Sequence, residues 1–436
     1  MLDAGNVTRS PSLSKSKNDL PEFLRSLLLR MDARIKPITL LLDLDDTLLD
    51  SNMDTLIQDY FQALSRYLAD VVDPGVMLTA LMAGTRKMIA NDHPGQTLQQ
   101  VFDAEFFPAI GAPRQQLQAR IDRFYQEVFP TLKDLTTPRP EAISLVEWLL
   151  AQGYRVAIAT NPLFPQAAIY QRMDWAGLPA DKYRFEVVSS YETFHFTKPN
   201  PAFFAEVLAR MGWPEGPVLM VGDDPVNDIA GSADFGLASY WIDGHKQAGD
   251  ARESVIGHGS LTNLRAWLEA NELSRLTPSF TSHASRLTVL RASPAALGGM
   301  LAGIDGAFFL QRPFPDEWSL TEVVCHLRDT ELEIHLPQIQ TILTQEDPFL
   351  PAADNDAWAI ERKYNKQDIA EALAGFISAR LESLDLLKGL AEEQWLRKAR
   401  HAIFGPSTLH DIVQFMVQHD VLHVRQFKET AGQSLT

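Results

Sequence analysis

Cysteine is almost missing: Cys325 is the only one in 436 residues, so no disulfide can close within the chain. That fits a reducing compartment, although an exported protein without disulfides would look the same. Positive charge is also scarce. Thirty-nine Lys and Arg stand against 56 Asp and Glu, a formal charge of −17, which disfavours nucleic acid and anionic membrane as partners and favours small-molecule chemistry. No apolar run reaches the roughly 18 residues of a membrane span. The opening "MLDAGNVTRSPSLSKSKNDL" has no apolar stretch of the signal-peptide kind. A cytoplasmic protein with a flexible polar tail over 1–36 is expected, and no internal repeat or long low-complexity tract is visible.

The chain has 45% apolar and 22% charged residues, the composition of a folding globular protein. Its length exceeds what one hydrophobic core usually supports, so more than one domain is expected. Short apolar runs, "ITLLLDL" from Ile38, "RVAIATN" from Arg155, "FEVVSS" from Phe185, "PVLMVGDD" from Pro217 and "ASYWID" from Ala238, alternate with helical patterns. This predicts parallel strands covered on both faces, a Rossmann-like doubly wound α/β domain over 37–50 and 138–270. About a hundred residues separate the first two runs, far more than a crossover needs. The intervening 51–137 shows only three- and four-residue apolar spacing and predicts an inserted helical cap. A Pro/Ser/Thr-rich linker over 271–284 leads to four helical patterns, about 285–302, 319–343 with Pro337 as a kink, 366–390 and 407–430. They predict an all-α four-helix bundle over 285–436.

In "LLLDLDDTLLD" the first strand stops at acids, Asp43, Asp45 and Asp46. Ligands of open parallel sheets bind beyond the carboxyl ends of strands. Carboxylates this close repel unless a cation neutralises them, and Mg²⁺ suits oxygen ligands. The same acids would also serve to cap the next helix or face water in a turn. Further strand ends supply Thr160 and Asn161, able to hydrogen-bond a phosphoryl oxygen, and Gly222, Asp223, Asp224 and Asp228, more acids for a metal. Lys198 precedes Pro199 and a new helix, placed to hold a phosphate and an aspartate by charge. Taken singly, Thr-Asn is an ordinary turn and Lys198 an ordinary surface lysine.

Together, Asp-x-Asp-x-Thr, Thr, Lys-Pro and Gly-Asp-x-x-x-x-Asp in this order resemble the haloacid-dehalogenase-like (HAD) hydrolase superfamily over about Ile38 to Ala270. The resemblance implies Asp43 as nucleophile and Asp45 as general acid and base. It implies Thr47 as support of the loop, Thr160 and Asn161 as phosphoryl ligands, and Lys198 as the group steadying Asp43 and phosphate. Mg²⁺ would be held by Asp43, the Asp45 carbonyl and Asp223, with Asp224 or Asp228 completing the shell. Members that displace halide lack the second aspartate, so Asp45 points to phosphoryl transfer. The helical cap is similar to that of the phosphoglycolate-phosphatase-like branch, whose substrates are small phosphorylated metabolites. Arg86 and Lys87 are cap cations that would either meet an anionic substrate or face solvent. A phosphomutase is the nearest alternative.

In the last helix "VQHDVLHVRQF" places His419 and His423 on one face, and "EWSLTEVVCHL" puts His326 behind a Ser319/Glu322 capping box. Three imidazoles from two helices would leave coordination positions open on Zn²⁺, Ni²⁺ or Fe²⁺. The two motifs, about ninety residues apart, resemble the DinB-like superfamily over about Ser285 to Gln433, which includes metal-dependent thiol S-transferases. By it His326, His419 and His423 are metal ligands, with Trp318 and Gln426 as supports. His335, His401 and His410 match nothing in that pattern and are read as structural, and Cys325 as a small buried filler. A non-catalytic binding module, or one giving a homodimer through the bundle, is the alternative for this half.

Overall fold

The structure, a computed structural model, describes residues 36–242, 254–352, 355 and 357–433. The 1–35 part of the expected tail and the last residues of the bundle, 434–436, lie outside them. Strand β1 (Thr39–Leu42) is buried on both faces, as its unbroken apolar run requires. It leads to β2 (Leu49–Asp50), which pairs antiparallel with β3 (Thr137–Pro138). Everything between is helical: α1 (Met53–Tyr67), α2 (Pro74–Ile89), α3 (Leu98–Ile110), α4 (Arg114–Glu127) and a short 3₁₀ turn. The helical segment therefore leaves and rejoins the sheet through one two-stranded ribbon.

After α5 (Pro140–Ala151) come β4 (Arg155–Ile158), α6 (Gln166–Trp175), β5 (Val187–Val188), α7 (Pro201–Arg210), β6 (Val218–Gly222), α8 (Gly231–Phe235) and β7 (Ala238–Trp241). Then β8 (Val255–His258) precedes α9 (Leu261–Ala270). The six-stranded parallel sheet has the order β5-β4-β1-β6-β7-β8, with Leu41 level with Ala157 on one side and Met220 on the other. The order puts the ends of β4, β1 and β6 side by side. Strand β8, absent from the sequence reading, is only partly buried, so it lacks the continuous apolar run that marks its neighbours.

The C-terminal region has α10 (His283–Leu301), α11 (Leu320–Thr330), α12 (Leu336–Thr344), α13 (Ile369–Leu387) and α14 (Leu409–Gln433) as its main helices. The second expected helix is two, joined by a π turn at Glu331–His335. Pro337 stands in the first turn of α12, directly after that π turn. Three short strands, β9 (Phe349–Leu350), β10 (Lys398–His401) and β11 (Gly405–Thr408), add a small sheet that helical periodicity did not show.

The linker is shorter than expected. Ser282 caps α10, and Phe280 stacks on Phe235 of the α/β part, ring centroids 4.5 Å apart. Helix α7 packs along α10, and one apolar cluster runs from Phe203, Phe204 and Phe235 through Val289 and Leu297 to Phe376 and Phe427. Gly299 makes the closest approach: a Cβ there would stand 2.6 Å from the Thr193 carbonyl oxygen.

Candidate active site and candidate metal centre

The β1 end is bound to β6 by Asp43 N–H donating to the Val221 carbonyl at 2.9 Å, which fixes Asp43 beside Asp223. The Lys198 ammonium donates to Asp43 Oδ1 and to Asp228 Oδ1, 2.6 Å each. Carboxylate oxygens of Asp43, Asp223 and Asp228 lie within 4.8 Å of one another. Gly222 is required where the chain turns toward them, because a Cβ would fall 2.2 Å from Asp228 Oδ2.

Burial raises the Asp43 carboxyl well above its usual range against the pull of Lys198, with Asp228 and Asp45 adding to the rise. For Lys198, burial favours loss of the proton, but Asp228 and Asp43 more than reverse that and raise its pKa. Lys198 serves two of the three carboxylates, and oxygen ligands gathered this closely fit a hard divalent cation.

Asp45 faces elsewhere. Its carboxylate contacts the guanidinium of Arg172 on α6, and accepts from Ser51 Oγ at 3.0 Å and from Thr160 Oγ1 at 3.4 Å. Arg172 is completely buried, its guanidinium 4.4 Å above the Phe164 ring. The third acid of the run, Asp46, has φ 59° and accepts from Ser51 and Asn52 N–H at 2.9 Å, holding the entry to α1. Asp46 thus fixes the turn that leads into α1.

Asn161 Oδ1 accepts from Lys198 N–H at 3.2 Å, tying the second strand end to the lysine. Thr47 is buried and its hydroxyl has no hydrogen-bond partner among the described residues. Asp224 is not in the carboxylate cluster. Its Oδ1 caps the turn after β6, accepting from Val226 and Asn227 N–H at 2.8 Å. Arg172 was missed in the sequence reading because it sits 127 residues from Asp45, inside a helix with no motif of its own.

In the C-terminal region, His326, His419 and His423 bring ring nitrogens within 4.8 Å of one another. His326 Nε2 faces His419 Nε2 at 3.0 Å, and the buried Nδ1 atoms of both have no partner among the described residues. His423 Nδ1 accepts no metal role, since it hydrogen-bonds Gln426 Oε1 at 2.9 Å and leaves Nε2 to the cluster. Trp318 stacks on the His423 ring, interplanar angle 13°. Burial pushes His326 and His419 well below the ordinary imidazole value and His423 down to about 4. Neutral, buried, converging imidazoles fit a borderline transition metal.

His335, expected to be structural, lies outside the three-histidine cluster, and the π turn sets its ring edge-on to His419, centroids 5.3 Å apart. Its Nδ1 is 3.1 Å from Glu331. Glu331 and Asp420 are bound in turn by Arg380 at 2.8 and 2.5 Å, all three without solvent exposure. His401 and His410 lie outside the cluster, and Cys325 is a buried free thiol.

Residues 39–236 match the haloacid dehalogenase-like hydrolase family, and residues 290–427 match the DinB superfamily. Pyrimidine 5′-nucleotidase YjjG of Escherichia coli (strain K12) is 34% identical over 116 residues, 26% of this chain and 48% of that protein, so about half of that relative is spanned. A phosphoglycolate phosphatase of Rhodospirillum rubrum is 26% identical over 230 residues, 52% of this chain and 86% of its own. The solved four-helix bundle YfiT from Bacillus subtilis is 22% identical, covering 35% of this chain and 88% of that one, with a TM-score of 0.33. Among the described residues no helix is long and apolar enough to cross a membrane. The chain thus resembles the haloacid dehalogenase-like hydrolases over its first part and the DinB superfamily over its last.

Proposed function

We propose that the N-terminal half is a Mg²⁺-dependent phosphatase that hydrolyses a small phosphorylated metabolite through an aspartyl-phosphate. The observation that carries this reading is the convergence of Asp43, Asp223 and Asp228 on one point with Lys198 bridging two of them. Mg²⁺ bound there offsets the repulsion between an attacking carboxylate and a phosphate.

Asp43 attacks phosphorus and the ester P–O bond breaks, while Asp45 gives its proton to the departing alcohol oxygen. Asp45 then takes a proton from water, whose oxygen attacks phosphorus. The Asp43 acyl-phosphate bond cleaves and inorganic phosphate leaves. Lys198 keeps Asp43 aimed, Asn161 keeps Lys198 aimed, and Arg172 with Ser51 and Thr160 orients Asp45. The names of the relatives, phosphatases and a nucleotidase, agree with this class of substrate. Phosphate release by the purified chain, with and without Mg²⁺ and in Asp43→Asn, tests it: release that survives the substitution refutes the nucleophile. A phosphomutase would return the phosphoryl group to a sugar and release no phosphate.

For the C-terminal half we infer a site for Zn²⁺, Ni²⁺ or Fe²⁺ on His326, His419 and His423. It is either a thiol S-transferase centre or a structural metal site. Metal analysis of wild type and His423→Ala, alongside transferase assays with low-molecular-weight thiols, separates the two: a structural site loses metal and stability but has no turnover to lose.

A further inference from the structure

The helical insertion encloses a cavity of about 100 Å³ that the chemistry above does not use. Aromatic rings dominate its wall, among them Tyr60, Phe61, Phe102, Phe106 and Phe164. Phe164 lies four residues past Thr160, and its ring carries the Arg172 guanidinium that contacts Asp45. Through Phe164 and Arg172 the cavity lining is therefore linked to the carboxylate that would protonate a leaving group. A second hollow of about 260 Å³ shares Arg114, Ile121, Tyr125, Pro165 and Tyr191 with it.

Charge decides what these spaces admit. Among the described residues Arg114 is the only Lys or Arg lining either one, and it is engaged: Asp103 takes its Nη1 at 2.6 Å and Gln118 its Nε at 2.8 Å. Asp103, Asp122 and Glu192 outnumber it. Arg86 and Lys87 line neither space. A leaving group bearing its own carboxylate would find no free cation and a negative surround. A flat uncharged ring would find aromatic faces, with the Asp103 acceptor, the Arg114 donor and the Tyr191 hydroxyl gathered at one side to meet polar ring edges.

Resting on the phosphatase reading, we propose that this cavity receives an uncharged aromatic or heteroaromatic body carried by the leaving alcohol. Phosphate esters of that class, nucleoside monophosphates included, are then preferred over phosphorylated small acids. The full chain with Mg²⁺ is assayed on thymidine 5′-monophosphate, phosphoglycolate and acetyl phosphate. Expected is a kcat/KM for the nucleotide at least about tenfold above that for phosphoglycolate, the scale at which a pocket discriminates by one group. Thr85→Trp, filling the cavity, is expected to lower the nucleotide to acetyl phosphate ratio about tenfold. Asp103→Asn, releasing Arg114, is expected to raise phosphoglycolate relative to the nucleotide. A wild-type preference for phosphoglycolate overturns the proposal, as do unmoved ratios in these variants when circular dichroism shows them folded. Loss of Asp43-dependent acetyl phosphate hydrolysis from the wild type would instead overturn the phosphatase reading itself.

Discussion

The two candidate centres solve opposite electrostatic problems. At the sheet end, Lys198 reaches directly into the ligand set and neutralises two of the acids, so the site holds together before any metal arrives. In the bundle the candidate ligands are three imidazoles. The buried cation there, Arg380, lies one layer away and occupies Glu331 and Asp420. Buried acids are paired with an internal cation in both places, but only in the first do such acids form the candidate metal cluster. Neutral imidazoles need no such partner, only protection from protons. The difference predicts a carboxylate centre sensitive to removal of single charges and a histidine centre sensitive to acid.

The largest expected effect is in the first centre. Asp43→Asn should lower phosphate release by about a thousandfold or more, while His423→Ala should remove metal from the bundle without a comparable loss of phosphate release. Equal losses would erase the contrast between the sites. Arg172→Lys sharpens it further: a lysine cannot reproduce the guanidinium's placement over Phe164 and on Asp45, and kcat should fall on the order of a hundredfold.

Stability should separate the centres next. Arg380→Ala strands two buried carboxylates, Glu331 and Asp420, and should cost about 3–5 kcal/mol in denaturant titrations. Replacing Arg380 and Asp420 together by apolar residues should recover part of that. The smallest effect is the pH dependence of the chelated protein. The folded-state pKa of His423 is about 4, against about 6.5 unfolded. Below 6.5 the unfolded chain binds a proton the folded one refuses, so this stability is complete above about 6.5 and is lost as pH falls toward about 4. His423→Gln should flatten the slope of urea midpoint against pH across that window.

Most of the sheet was legible because its strands are buried on both faces and write themselves as apolar runs. Strand β8 and the small sheet β9–β11 were not, since half-exposed or two-residue strands leave no such mark. Asp43 and Asp223 of the first centre were visible for the same reason as the strands, each standing where a run stops. What no local pattern discloses is division of labour among neighbours. Asp46 and Asp224 carry the same charge as the clustered acids, and their side chains satisfy backbone N–H groups. Arg172 and His335 read like ordinary helix residues and stand against the two centres, because tertiary packing, not spacing, brings them there.

Phe280 stacked on Phe235, and Gly299 pressed against Thr193, make the seam between the halves a shared interior. A chain cut near residue 280 would not fall into two beads, and each fragment would present to water the greasy side it now hides. Heating should accordingly register one merged transition, through which an ion seated among the histidines lends resistance to the hydrolase as well.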